Sequence, residues 1–352
     1  MPARRTDSRT RSRKGAATAT IRDVAARAGV SVATVSRVLN GKNIVRDETS
    51  AQVVEAAQAL RYVPNVAARA LSIRRSHTIG IVLPEVHGEF FSEVIRGIDV
   101  AARRNGYHIL VSGSHSDARE MMDVINAMRG RVDGLVVMAP DVDVETLRDD
   151  VPLVLLNSLD GAHDAITIDN FGGAREMMRH LTAQGHTRIA FITGPAQNAD
   201  ARERLRGYRQ AMRGLDAEPI EIQGDFTEAS GSTAAQAIAA MKPRPTAIFA
   251  ANDSMAIGAL AALADAGLSV PRDISVAGFD DIPIARYVTP QLTTIGVDLS
   301  ELGRRSLAVL LDRIGQSSHQ PRRERIATAL VARKSTSSLE KQHRSRTKGE
   351  EP

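Results

Sequence analysis

The chain of 352 residues contains no cysteine and no tryptophan, and only 3% of its residues are aromatic. Without cysteine it has neither disulfides nor thiolate metal ligands, so a packed core must hold the fold. No apolar run is long enough to span a bilayer, and no apolar segment follows the amino-terminal charges as a secretory signal requires. A cytoplasmic location with no membrane partner is therefore expected. Several chemical signatures are also missing: a Gly-x-Ser-x-Gly elbow, a Walker phosphate loop, a dinucleotide Gly-x-Gly-x-x-Gly and His-Glu-x-x-His. Carboxylates are plentiful, but no pair is set apart by spacing. The expectation is a protein that is not an enzyme, with no catalytic residue, no metal and no cofactor.

What is present points elsewhere. Hydrophobic residues make up 43% of the chain, enough for two or three domains. The net charge of +5 is modest, but its placement is not even. Arg4, Arg5, Arg9, Arg11, Arg13 and Lys14 crowd the start against Asp7 alone, so residues 1–19 read as a disordered basic arm able to follow phosphates.

Residues 21–40 read IRDVAARAGVSVATVSRVLN. Ile21, Val24, Ala25 and Ala28 fall on one helical face, Gly29 breaks the run, and Ser31 can cap a second helix that buries Val35 and Val38. Two short helices joined by a glycine turn fit a helix-turn-helix, with a plain helical hairpin as the lesser alternative by pattern alone. Residues 47–60 are expected as a third helix with Val53, Val54, Ala57 and Leu60 inward and Asp47 available as its cap. The unit is placed at 20–63. Residues 64–76 follow, where Pro64 opens a short alanine-rich helix or linker.

From Thr78 the texture changes. Apolar strand-like runs (IGIVLP, YHILVSG, VDGLVVMA, VPLVLLN) alternate with helical stretches at 90–104 and 118–128. Such alternation indicates a parallel sheet covered on both faces. The pattern restarts with strands at 165–168, 187–193, 219–222, 247–250 and 274–278, separated by helices at 172–184, 202–214, 230–241 and 254–266. Two doubly wound lobes are expected: lobe 1 at about 77–162 plus 291–316, lobe 2 at about 163–290 plus 320–336. A small-molecule cleft should lie at the carboxyl ends of their strands. Residues 337–352 read as a disordered tail.

Residue identity goes further. AGVSVATVSRVLNG, Ala28 to Gly41, resembles the DNA-binding signature of the lactose-repressor (LacI/GalR) family of bacterial transcription regulators. The resemblance continues through IDNFGGA at Ile168, GHTRIAFITGP at Gly185, Arg204 to Tyr208, AANDSMAIGAL at Ala250 and SVAGFDDIPIARYVTPQLTTI at Ser275. It implies an all-α helix-turn-helix domain followed by a two-lobed α/β effector domain like the periplasmic sugar-binding proteins. The chain departs from the family at Arg46, where a capping serine is usual, and at Gly88-Glu89, where Asn-Pro often precedes two aromatics.

The implied function is a homodimeric repressor of double-stranded operator DNA, controlled by an effector, with a sugar-like molecule favoured and a purine as the alternative. An exported binding receptor without DNA function is the third reading, and it would need a signal peptide. For DNA, the recognition helix offers Ser31, Val32, Ala33, Thr34, Ser36, Arg37 and Asn40. The resemblance adds a hinge helix with Asn65 and Ala68, and Leu71 wedging into the minor groove. For the effector, Phe90 is expected in the cleft with Phe91 toward the core. Arg204 is expected as an oxygen clamp and Phe226 as a stacking ring, with Asn198, Asp200, Asn252 and Asp280 as polar contacts. Asp169 and His115 are read as structural, and Asp253 and Asp281 as loop-orienting.

Overall fold

The computed structural model describes residues 19–39, 45–62, 75–115, 117–138, 151–158, 162–316, 320–340 and 342. The chain forms two compact units, Met1–Ser76 and His77–Pro352. The expected basic arm (except residue 19) and most of the hinge segment, with its Asn65, Ala68 and Leu71, lie outside the described residues, as does Asn40.

The first unit is helical. Helix α1 (Ile21–Ala28) opens with a reciprocal cap: Thr20 Oγ1 accepts from the Asp23 N–H, and the Asp23 carboxylate accepts from the Thr20 N–H at 2.8 Å. The backbone bond from Thr20 holds the Asp23 carboxyl below its ordinary range. Gly29 ends the helix at φ +65°, a conformation that costs glycine little. Ser31 Oγ then accepts from the Thr34 N–H at 3.1 Å and starts α2 (Val32–Leu39). Val24, Ala25 and Val35 pack with Val53, Ala56 and Ala57 of α3 (Asp47–Ala59).

Two details differ from expectation. Val54 is 44% exposed and Ala56 takes the inward place, because positions 53, 56 and 57 share one helical face. Arg46 occupies the cap position without a side-chain bond, and Asp47 is the first helical residue instead of the cap.

The second unit holds two six-stranded sheets. Sheet 1 comprises β1 (Thr78–Leu83), β2 (His108–Gly113), β3 (Gly134–Met138), β4 (Leu153–Leu156), β5 (Asp164–Ile168) and β11 (Arg323–Ile326), in the order β11-β5-β4-β3-β1-β2. Sheet 2 comprises β6 (Ile189–Ile192), β7 (Ile220–Ile222), β8 (Ala247–Ala250), β9 (Ser275–Asp280), β10 (Thr293–Val297) and β12 (Thr328–Val331), in the order β12-β10-β9-β8-β6-β7. All pairings are parallel except β10 with β12. Continuous apolar strands such as TIGIVL and AIFA are buried along almost their whole length, as two-sided cover demands.

Helices α4 (Glu89–Arg104), α5 (Ala118–Met128) and α10 (Leu299–Arg313) belong with sheet 1. Helices α6 (Asn170–Ala183), α7 (Ala199–Gly214), α8 (Glu228–Ala240) and α9 (Asp253–Asp265) follow in the second half. These four begin one to three residues before the apolar periodicity predicts. Asp169, Asn198, Thr227 and Asn252 each accept a backbone N–H, so the capping residue and not the first apolar one sets the start.

The division between lobes needs correction. Strand β5, expected in lobe 2, pairs with β4 in sheet 1; β10, expected in lobe 1, pairs with β9 in sheet 2. The chain thus crosses after β5 and again after β10. It crosses a third time between β11 and β12, strands that alternation had not revealed, with Ala327 alone between them. The expected disordered tail is also ordered at its start. Leu339 N–H donates to Gln184 O at 2.9 Å, and buried Gln342 donates to Pro271 O at 2.9 Å and to Ser275 Oγ at 3.0 Å. Buried His186, whose Nε2 lies 3.0 Å from Ser337 O, fixes the same segment; desolvation keeps its pKa below the ordinary histidine value.

Candidate functional sites

The helical unit presents one face of α2. Val35 is fully buried, while Ser31, Val32, Ala33 and Arg37 are exposed, Val32 at 42%. Thr34 and Ser36 are half-buried, and Ser31 and Thr34 share a hydroxyl contact of 2.9 Å at the helix start. Two small apolar groups in the first turn and a guanidinium in the last turn, all exposed, form a surface that can meet thymine methyls and a guanine or phosphate.

In the second unit three of the expected effector groups, Asp200, Arg204 and Asp280, are linked around the buried arginine. Arg204 on α7 is 2% exposed. Its Nε donates to Asn170 Oδ1 at 2.7 Å, its Nη1 to Ala251 O at 2.5 Å, and its Nη2 lies 2.9 Å from Asp280 Oδ1. The guanidinium carbon stands 3.8 Å from the centroid of the Phe279 ring. Asn170 passes the chain on, its Nδ2 donating to Asp200 Oδ1 at 2.6 Å. Asp200, Asn170, Arg204 and Asp280 therefore form a connected polar line from the starts of α6 and α7 to the end of β9. Asn170 was not singled out from the sequence; it falls between the strand expected at 165–168 and the helix expected from 172, and only the fold brings it to Arg204.

Two of the five guanidinium N–H groups are hydrogen-bonded by protein, and the Nη2 end faces Asp280 as an ion pair, so few directions are left for the expected clamp. The Asp280 contact is an ion pair whose geometry does not satisfy a hydrogen bond, which leaves buried Asp280 Oδ1 without an aligned donor. Burial pushes the Asp280 carboxyl up to about 6, against the opposing pull of Arg204. Asp280 is thus ionised opposite Arg204 at neutral pH. Asp253 behind it is raised well above the usual range by burial first and by the Asp280 charge second. It accepts from Thr294 Oγ1 at 2.5 Å and from the Ile282 N–H at 3.0 Å, which fits the loop-orienting expectation.

Other expected contacts have structural roles. Asn198 and Asn252 cap α7 and α9, and Asn252 Nδ2 also donates to Phe226 O at 3.0 Å. That bond helps hold Phe226 at φ +74°, with its ring over Gly194, where an added Cβ would come within 2.5 Å of ring carbons. Phe90 packs edge-to-face on Phe91 at 5.3 Å, and both lie against the core. Asp169 caps α6, and His115 pairs with Glu120 at 2.8 Å, which raises its pKa.

One group was missed entirely. Asn157, immediately after β4, is 2% exposed, sits at φ +56°, and has neither Nδ2 nor Oδ1 hydrogen-bonded. It lines a polar cavity of about 90 Å³ with Asn170, Asp200 and Arg206. A buried carboxamide with both ends unmet costs stability unless something else meets them. Its signal in the sequence was weak: a lone asparagine at the end of an apolar run.

A reader helix and a two-lobed cleft with unmet buried polar groups define a DNA-binding regulator of the effector-controlled class. Comparison with known proteins agrees. The model for bacterial regulatory proteins of the lacI family matches residues 20–65, and that for a periplasmic binding protein-like domain matches residues 178–336. The HTH-type transcriptional repressor PurR of Edwardsiella ictaluri (strain 93-146) is 38% identical over 329 residues, covering 90% of this chain and 96% of that one. The ribose operon repressor of Escherichia coli (strain K12) is 37% identical, with coverage of 90% and 99%. The Lac repressor dimer bound to operator and the anti-inducer ONPF superposes with a TM-score of 0.83 at 33% identity, covering 91% of this chain and 99% of that one. The chain belongs to the lacI family and is a DNA-binding transcriptional repressor.

The raised Asp280 pKa makes a stability prediction. Its folded value of about 6 exceeds the ordinary 3.8, so the folded chain binds this proton more tightly than the unfolded chain does. The contribution is therefore full below about pH 4 and is lost as pH rises through 6. In urea unfolding between pH 4 and 7, the parent should lose roughly 2–3 kcal/mol relative to Asp280→Asn as pH rises. A gap that stays constant would contradict the assignment.

Proposed function

We propose that the chain represses transcription in the cytoplasm as a homodimer on a two-fold symmetric operator, under control of a sugar-like effector in the cleft. One helix-turn-helix reads half a site, so a symmetric operator calls for two copies. The observation that supports the effector reading best is the buried Asn157 carboxamide, neither end of which is hydrogen-bonded. A polyhydroxylated ring supplies both donors and acceptors to such a group, and its apolar face suits an aromatic such as Phe226. Phe90, Asp200 and the remaining Arg204 N–H groups complete the proposed contacts, with Asn198 and Asn252 contributing mainly through the loops they cap. A purine base is the second reading, favoured by the identity to PurR and by a planar partner for Phe226.

The effector would bind one lobe arrangement better than another and so bias operator affinity. Allosteric coupling of this kind is typically about 1–3 kcal/mol. On the DNA side, Ser31, Val32, Ala33, Thr34, Ser36 and Arg37 are proposed at the duplex, with Asn40, Asn65, Ala68 and Leu71 carried by the family resemblance alone.

Two substitutions test the two halves separately. Arg37→Ala should abolish specific operator binding, measured by fluorescence anisotropy at fixed salt, and leave effector binding intact; unchanged operator affinity would sink the assignment. Asn157→Gly keeps the left-handed backbone at no steric cost and removes only the carboxamide. Calorimetry with D-ribose or a free purine base, whichever the parent binds, should show at least a tenfold loss with little change in thermal midpoint. Undiminished affinity would mean that asparagine is there for its backbone alone.

A further inference from the structure

A contact at the family's point of divergence joins the two lobes. The Ile284 N–H donates to Glu89 Oε2 at 2.7 Å, across 195 residues of sequence. Glu89 is the first residue of α4, which is rooted in lobe 1 by its packing against α10. Ile284 lies in the 3₁₀ turn Pro283–Arg286, which follows β9 of sheet 2. Glu89 stands where proline is frequent in the family, and proline has no side-chain acceptor to offer.

Both ends of the bond adjoin proposed effector contacts. Glu89 immediately precedes Phe90, and Ile284 is four residues beyond Asp280. The backbone between Asp280 and Ile284 has little slack. Asp280 and Asp281 hold φ of +114° and +57°. The Asp281 carboxylate is 2.5 Å from Arg333 and 3.7 Å from Arg286, and the Ile282 N–H is tied to Asp253. The segment that carries the Ile284 N–H is therefore anchored in lobe 2 and is not a slack loop.

We propose that the Glu89–Ile284 bond is a latch that sets the spacing of the lobes. Its regulatory meaning rests on reading the cleft as an effector site; the latch itself does not. Glu89 acts as a positioning residue, holding lobe 2 through a backbone N–H without touching the effector. Any occupant that moves Phe90 or Asp280 loads the bond directly.

The absence of cysteine makes the test clean. Spin labels attached after Arg104→Cys on α4 and Gln236→Cys on α8 report the lobe-to-lobe distance in the full chain, with neither DNA nor effector present. Both positions are exposed. Glu89→Gln keeps a carbonyl acceptor and should leave the distance distribution as in the parent. Glu89→Ala should shift or broaden it by about 2 Å or more and speed amide exchange in the 282–288 segment at least tenfold. An Ala variant identical to the parent in both readouts would overturn the latch. So would a Gln variant that shifts as far as the Ala variant. Failure to find an operator or an effector would leave these distances unaffected, so the two proposals fail separately.

Discussion

A guanidinium cannot be buried without partners, and the second unit is built around meeting that requirement at Arg204. Its partners come from three places far apart in sequence: Asn170 at the start of α6, the Ala251 carbonyl after β8, and Asp280 at the end of β9. Each lies at the carboxyl end of a strand or at the helix start that follows. Satisfying one charge therefore aligns several strand ends, and a doubly wound sheet binds its ligands at that edge. Asp280 bears the cost of the arrangement. Desolvation raises its pKa to about 6, and one of its oxygens is left without an aligned donor.

The same economy of contacts appears in the helical unit on a smaller scale. Six buried side chains hold three helices, so the ends must be fixed locally, by the Thr20–Asp23 reciprocal cap, by Gly29 and by Ser31. The outer face of α2 is then free of structural duty, and Val32, Ala33 and Arg37 stay exposed at no cost to the core. In both units the functional groups sit where capping residues have already fixed the backbone.

Much of this was legible from residue order. The helix-turn-helix showed in its 3.6-residue periodicity and its glycine break, and the α/β unit in apolar strands alternating with helices. The matched motifs singled out Arg204 and Asp280, which pair in the fold. What the sequence hid has physical causes. Strands β5 and β10 are buried like their neighbours, so periodicity cannot say which sheet takes them; only hydrogen-bond pairing does. Strands β11 and β12 are short and partly exposed, which weakens their pattern. Asn198 and Asn252 looked like ligand contacts because an asparagine at a strand end and one at a helix cap are the same letter. Asn157 escaped notice because an orphaned carboxamide is a property of its surroundings and not of its type. The tail from Ser337 was too polar to read as ordered, yet His186, Gln184 and Ser275 supply the partners that its polar groups need.

On the proposed reading, two copies of this chain bind one symmetric DNA sequence. Selection of bound duplexes from a random pool by the full chain tests it most directly. Salt must be held fixed, since phosphate contacts alone move affinity by orders of magnitude. Enrichment of a palindrome with two equivalent half-sites is the expected result. Failure to enrich any sequence, alone and with D-ribose or a purine base added, would contradict the account.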